Sequence, residues 1–430
     1  MSFSKFLIKG GLVVSAGKSS VQDVLVCDGK IAQIAPSIEA DDNTEIYDAT
    51  DCVVTYGLAD VHTHLREPGY SYKETIATGT AAAARGGVTT VCSMPNLNPA
   101  PDNVVSLGIQ QSLIEQQAVV EVRPYATITR NREGKEVVDV ETLAPSCVAF
   151  TDDGSGVQDP EVMESAMLQI AQVGGLLAAH CEEESMLCGG YIHAGDYAAL
   201  HGHKGIPSCS ESEPFIRDMK LVEKTGCRYH ICHISAFETV KALAKAKQLG
   251  LPITGETTPH YLTMTDMDLQ EEGRFKMNPP IRSAADRETL VAAINSGIIE
   301  VIATDHAPHS AEEKAKGLSG SAMGVVGLET SFAVIYTRLV REGLLTLEKA
   351  IELMCDNPRR IFNLGGGMEV GQRADIAVFN TKTPFFVNSE EFLSKGKATP
   401  FEGWMLFGRC MLTLFGGKVV WKENNSIYNL

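Results

Sequence analysis

The 430-residue sequence predicts an α/β fold, a (β/α)8 barrel of the TIM type with a small β-sandwich domain built from both chain ends. Three observations carry this reading. Eight short apolar or β-branched runs alternate with helical stretches through the middle of the chain. Most of these runs end in polar residues that do not belong in a core. The two ends of the chain hold no such alternation, only β-like runs broken by Gly and Asp turns.

Taken in order, residues 1–54 form the first part of the small β domain. They contain "FLIKGGLVV", "DVLVCDGKIAQIA" and "TEIYDATDCVVTYG", with "CDGK" as a turn between strands. Residues 55–363 form the barrel. Its strands are "GLADVHTH", "VTTVCSMPN", "VEVRPYATI", "SCVAFTDDG", "GLLAAHCE", "RYHICHIS", "LPITGETTPH" and "IEVIATDHAPH". Patterns such as "KETIATGTAAAARGG" and "AFETVKALAKAKQLG" supply helices between them, and strands separated by helices pair in parallel. Residues 364–430 return to β patterning in "GQRADIAVFN", "PFFV" and "WMLFGRCMLTLFGGKVVW", completing the small domain.

Bulk composition narrows the function. A formal net charge of −17 argues against nucleic acid or an anionic membrane surface as a partner, although a local basic group can still bind a small anion. No apolar run approaches the roughly 20 residues that span a bilayer. The N-terminal "MSFSKFLIKGGLVV" is too short and too interrupted by Lys and Gly for a signal peptide. Eleven cysteines without C-x-x-C spacing, several inside apolar runs, fit buried reduced thiols and a cytoplasmic protein.

The strand ends hold the chemistry. In "ADVHTHLREPG", His62 and His64 stand at i and i+2, so a strand would turn both imidazoles to one face. An isolated H-x-H fits an ordinary loop equally well, and the other strand ends decide. They carry Asn96, Asp153, His180, His233, His260 and Asp305. A barrel gathers the C-terminal ends of its strands on one face. His62, His64, Asp153, His180, His233 and Asp305 exceed the needs of one tetrahedral zinc and suit two metals sharing a bridge. Other histidines are set apart. His201 and His203 lie in a Gly- and Pro-rich loop, as does His193; His230 is out of phase with His233, and His306 should face away from Asp305. Cys181 and Cys232 adjoin candidate ligands and are expected to pack on the opposite face.

The run "DVHTHLREPG…YKE" with "MPN", "FTDDG", "AHCE", "CHIS", "TTPHYL", "NPPIR", "ATDHAPH" and "VVGLET" resembles the dihydroorotase family of the amidohydrolase superfamily, and most closely its bacterial type I members. "GQRADIAVFN" resembles the superfamily's return to the small domain. The resemblance implies one or two zinc ions per chain, two being favoured. His62, His64, Asp153 and Asp305 would hold one, and Asp153 would bridge to a second held by His180 and His233. Many relatives bridge their metals with a carboxylated lysine. Here strand four offers no lysine, only Asp152 and Asp153, of which the family pattern favours Asp153.

The implied reaction is reversible interconversion of N-carbamoyl-L-aspartate and L-dihydroorotate in de novo pyrimidine (UMP) synthesis. A metal-bridging hydroxide would be the nucleophile and Asp305 the general base and acid. Arg66, at i+2 from His64, would bind the substrate carboxylate through its guanidinium fork; a surface pair with Glu67 is the alternative. Asn96, Asn278 and His309 would reach the carboxylate and ring, with backbone at Met323 and Gly324. Glu67, Lys73 and Glu74 are read as structural. The segment after strand eight is either a lid or a solvated link, with Glu312, Glu313, Lys314 and Lys316 in water. An allantoinase or hydantoinase, and an inactive structural barrel, are the competing readings. A homodimer or an assembly with aspartate transcarbamoylase would be compatible with the family.

Overall fold

The two chain ends meet in one sheet. A computed structural model describes residues 5–423, so the outermost residues of the 1–54 and 364–430 segments lie outside the described residues. The sheet has eight strands. Its path runs from Lys418–Lys422 through Arg409–Phe415, Ile376–Asn380 and Cys52–Tyr56 to Lys5–Ser15, Lys18–Cys27 and Lys30–Ala35. The joint between the ends is the antiparallel pairing of Cys52–Tyr56 with Ile376–Asn380. Strand Lys5–Ser15 bends at a bulge between Ile8 and Gly11, where Gly10 adopts φ +73°. Its first half pairs with Thr44–Asp48 and its second half with Cys52–Tyr56. A strand that changes partners at a bulge is how a sandwich turns its corner.

The barrel closes through eight parallel positions. Leu58–Thr63 pairs with Val88–Ser93, and that strand with Glu121–Pro124. Ala126 bridges to Phe150 and Phe150 to Leu177. Leu176–Ala179, Arg228–Ile231, Ile253–Thr257 and Val301–Ile302 then follow in order. A parallel bridge from His306 to Thr63, and the His64 amide donating to the His306 carbonyl at 2.8 Å, complete the ring. The fourth strand is shorter than "SCVAFTDDG" implies. A 3-10 turn at Ala144–Ser146 precedes it and a turn at Asp152–Ser155 follows, so Phe150 alone bridges both neighbours.

Helices between strands are built from local signals. Ile76–Arg85 starts at Thr75, whose hydroxyl accepts from the Thr78 amide, and it buries Ile76, Ala82, Ala83 and Ala84. Inside the barrel, mostly small side chains meet: Ala59, Val61, Cys92, Ala149, Ala178, Cys232 and Ala303, with Tyr125 as the large filler. The Tyr125 hydroxyl donates to the Val61 carbonyl at 2.9 Å, which satisfies a polar atom in an apolar layer. Ile361, Phe362 and Leu364 join the same cluster. Among the described residues no helix is long and apolar enough to cross a membrane.

Candidate active site

At the C-terminal end of the barrel strands four imidazoles and two carboxylates converge, all buried. Asp153 stands at their centre. Its Oδ1 lies 3.4 Å from His62 Nε2, 3.5 Å from His233 Nε2 and 3.7 Å from His180 Nδ1. Its Oδ2 lies 3.5 Å from His64 Nε2. Asp305 Oδ1 faces the same pair of histidines, 3.1 Å from His64 Nε2 and 3.4 Å from His62 Nε2. Asp152 points elsewhere, accepting from the Ile128 and Thr129 amides and the Thr129 hydroxyl.

Two groups of potential metal ligands share Asp153: His62 with His64, and His180 with His233. His62 Nε2 and Asp153 Oδ1 are buried and have no hydrogen-bond partner, although they face each other. Buried polar atoms of a folded protein are normally satisfied, and a cation shared by these atoms would satisfy both. The donor set of imidazole nitrogens and carboxylate oxygens suits zinc and its neighbours in the first transition row.

Electrostatics follow from this crowding. Burial opposes charge on His62, yet Asp153, Glu256 and Asp305 outweigh it and raise its pKa. Burial and then Arg66 lower His64 to about 4. Burial favours protonated carboxyls, but the surrounding imidazoles prevail and hold both Asp153 and Asp305 below their ordinary range. Three non-glycine residues here sit at positive φ: Arg66 at +59°, His233 at +35° and Asp305 at +47°. Such backbone is costly and concentrates where a side chain must be aimed against local preference.

That aim changes one expectation. Cys232 does not leave the site side to His233, as strict alternation would require. It packs in the barrel's interior cluster and lies beside His62 and Glu256, while His233 also enters the site. The left-handed turn at His233, two residues past the strand Arg228–Ile231, breaks the period-two rule there. Cys181 does face away, its sulfur 3.3 Å from the Tyr229 hydroxyl.

The remaining expected residues line a cavity of about 230 Å³ above the cluster: Arg66, Asn96, Asn278, His309, Met323 and Gly324. Arg66 is buried and donates from Nε to the Pro308 carbonyl at 3.3 Å. Glu67 does not pair with it; that carboxylate accepts the Ile76 amide at 3.0 Å. His309 Nε2 donates to the Met323 carbonyl at 2.8 Å and Nδ1 accepts from Lys73 at 3.2 Å. Burial, Arg66 and Lys73 push its pKa down to about 3, so the ring is neutral. Asn96 Nδ2 donates to the Asp153 carbonyl and Asn278 Nδ2 to Glu182. Both Oδ1 atoms are left buried without a partner. A larger hollow of about 550 Å³ lies around Pro124, Pro145 and Phe362, but brings no histidine and no carboxylate pair together.

Other histidines hold structure. His306 Nδ1 accepts from the Gly327 amide, and His203 lies between the Tyr191 hydroxyl and Glu271. His201 stacks on Tyr197, and His193 meets Arg282. His260 lies in the short helix Pro259–Thr263 rather than at a strand tip, and its Nε2 is buried without a partner. Glu74 is buried, accepting from the Ser394 and Thr78 hydroxyls. In the segment after strand eight, Glu312 and Lys316 are exposed as a solvated link requires, whereas Lys314 turns inward and is buried.

Sequence reasoning missed Glu256. Its Oε1 lies 2.6 Å from His62 Nδ1, and its Oε2 lies 3.2 Å from His230 Nε2. With the Nδ1 proton donated to Glu256, Nε2 keeps its lone pair for the shared point beside Asp153. The signal was a carboxylate inside the apolar run "LPITGETTPH". Replacing it with glutamine should lower metal affinity by about 10–100-fold. Competition with a chromogenic chelator measures this, and unchanged affinity would mean packing alone orients His62. Glu182 was also missed; its Oε2 lies 3.5 Å from His180 Nε2.

Known proteins share this arrangement of chain and fold. A family profile described as Dihydro-orotase-like matches residues 52–239. Dihydroorotases of Bacillus cytotoxicus and Bacillus cereus are each 43% identical over 426 residues, covering 98% of this chain and 99% of theirs. Among solved structures, the L-hydantoinase (dihydropyrimidinase) from Arthrobacter aurescens superposes with a TM-score of 0.87 at 25% identity, covering 97% of this chain and 96% of that one. That structure supports the barrel-plus-sandwich fold, and identity sustained along nearly the entire length places this chain in the dihydroorotase family.

Proposed function

We propose that the protein is a zinc-dependent dihydroorotase that interconverts L-dihydroorotate and N-carbamoyl-L-aspartate. The observation that carries this reading is Arg66, a buried guanidinium lining the cavity directly above the carboxylate–imidazole cluster. A ring bearing a carboxylate needs such a group beside the scissile amide, and an uncharged hydantoin does not.

His62, His64, Asp153 and Asp305 would hold one zinc, and Asp153, His180 and His233 a second. When bound, the metal pair lowers the pKa of water and polarises the amide carbonyl. Asp305 supplies the proton traffic. Its carboxylate, charged at neutral pH, takes the proton of the attacking water and passes it to the ring nitrogen as the C–N bond breaks. Run backwards, the same carboxylate relays the proton during ring closure. Arg66 pairs with the substrate carboxylate, and His309 is held beside it by Lys73 and the Met323 carbonyl. The unpartnered Oδ1 atoms of Asn96 and Asn278 offer acceptors to the ureide N–H groups. The same reading places the reaction in the cytoplasm, where free thiols such as the buried Cys92 and Cys232 stay reduced.

Initial rates of the zinc-loaded protein on dihydroorotate, hydantoin and allantoin test the proposal. Dihydroorotate should be preferred by at least about a hundredfold in kcat/KM, the worth of one buried charged contact. Preference for an uncharged ring would make the protein a hydantoinase-type enzyme, and no turnover of any of the three would make it a structural barrel.

A further inference from the structure

We infer that Lys314 is a positioning residue, an internal ammonium clamp that holds the rim of the substrate cavity in its binding shape. The inference rests on the dihydroorotase reading of that cavity. Lys314 is buried; burial and then Lys276 lower its pKa to about 7, against which its three carbonyl acceptors favour the protonated form, and none of its contacts is a candidate metal ligand. Its Nζ donates to three backbone carbonyls, Ala322 at 2.7 Å, Gly324 at 2.7 Å and Lys276 at 3.0 Å. An ammonium has three protons and no acceptor, so three carbonyls saturate it.

The three acceptors belong to two segments that pack together along the rim, where Lys276 Nζ also donates to the Ser319 carbonyl at 2.7 Å. Lys276 lies two residues before Asn278, in the stretch that follows barrel strand seven. Ala322 and Gly324 flank Met323, whose carbonyl fixes His309. The Gly324 amide also donates to the Lys276 carbonyl at 3.0 Å, so the clamp reinforces a seam between the segments. Gly324 has φ +138°, and a Cβ there would lie 2.6 Å from the Ala307 carbonyl oxygen. The backbone is therefore pressed against the chain just after Asp305, in a conformation that side-chain-bearing residues rarely adopt. Carbonyls of that loop do not reach a regular partner strand, and Lys314 supplies what secondary structure would otherwise provide.

A clamp on three carbonyls acts on binding rather than on bond breaking. Lys314→Met keeps most of the apolar stem of the side chain and removes all three donors. It should raise KM for dihydroorotate by about tenfold or more while kcat changes by less than about threefold. Lys314→Arg, which keeps charge and donors, should recover part of the loss. Hydrogen exchange followed by mass spectrometry supplies a readout without turnover: amides in residues 319–327 should lose protection in the methionine variant while the barrel strands keep theirs.

A raised KM together with faster exchange at the rim bears the inference out. Unchanged KM, or unchanged exchange in 319–327, overturns it, as does a fall in kcat alone. Should Lys314→Met fail to fold, Lys314→Leu, which also removes all three donors on a shorter apolar stem, carries the same test. If the wild-type protein turns over no dihydroorotate, the functional reading fails by itself, and the exchange experiment still decides whether Lys314 holds the rim.

Discussion

Asp305→Asn is expected to lower kcat about a thousandfold with bound metal retained. The substitution keeps an oxygen where Asp305 faces His62 and His64 at 3.4 and 3.1 Å, so a ligand of the same size and reach remains. It removes the only function an amide cannot perform, accepting a proton and giving it back. General acid–base catalysis by a positioned carboxylate is worth about 10²–10⁴ in rate, and in the proposed reaction one group would serve both halves. Since the overall equilibrium is fixed, kcat/KM for hydrolysis and for ring closure should fall by the same factor. Steady-state rates in both directions, with metal content measured on the same samples, check this. Loss of metal alongside activity would show that Asp305 acts mainly as a ligand, and a decline of less than tenfold would assign the proton transfer to another group.

The second large effect is expected at Arg66. Arg66→Met should reduce kcat/KM for dihydroorotate by about a hundredfold or more, from about 3 kcal/mol for a buried charged pair, and leave hydantoin turnover nearly untouched. Burial lowers the arginine's pKa only to about 10, so the cation persists at neutral pH. Its Nε is committed to the Pro308 carbonyl, which fixes the guanidinium plane and leaves the outer nitrogens for substrate. Lysine at this position would restore charge without the fork and should recover only part of the loss. Kinetics on the two substrates side by side give the ratio; an equal fall on both would mean that Arg66 supports the fold of the loop rather than the carboxylate.

The barrel was legible because its signal is repeated. Each strand is a short apolar run ending in a polar residue, and the eight runs reinforce one another. His62, His64, Asp153, His180, His233 and Asp305 could be picked out because imidazoles and carboxylates are out of place at the end of apolar strands. What escaped was whatever depends on direction rather than residue type. Strict alternation assigned Cys232 and His233 to opposite faces, and the positive φ at His233 defeats it. Glu256 was hidden for a related reason. It is a full strand away from the ligands in sequence, and only barrel closure brings it under His62. Lys314 sits in a stretch whose composition, with Glu312, Glu313 and Lys316 around it, is that of a solvated link. Only the three carbonyls that surround its amine reveal the inward turn.

The antiparallel joint between Cys52–Tyr56 and Ile376–Asn380 has a consequence for how the chain comes into being on the ribosome. Synthesis is vectorial, so the N-terminal hairpins emerge with one strand edge unpaired while more than 300 residues remain to be made. The barrel seam from Thr63 to His306 is delayed in the same way. Contacts so distant along the chain are slow to form, and an exposed edge is open to pairing with another nascent chain. The joint also means that chains truncated before residue 376 lack a partner for Cys52–Tyr56, and should accumulate as aggregates rather than as a smaller folded unit.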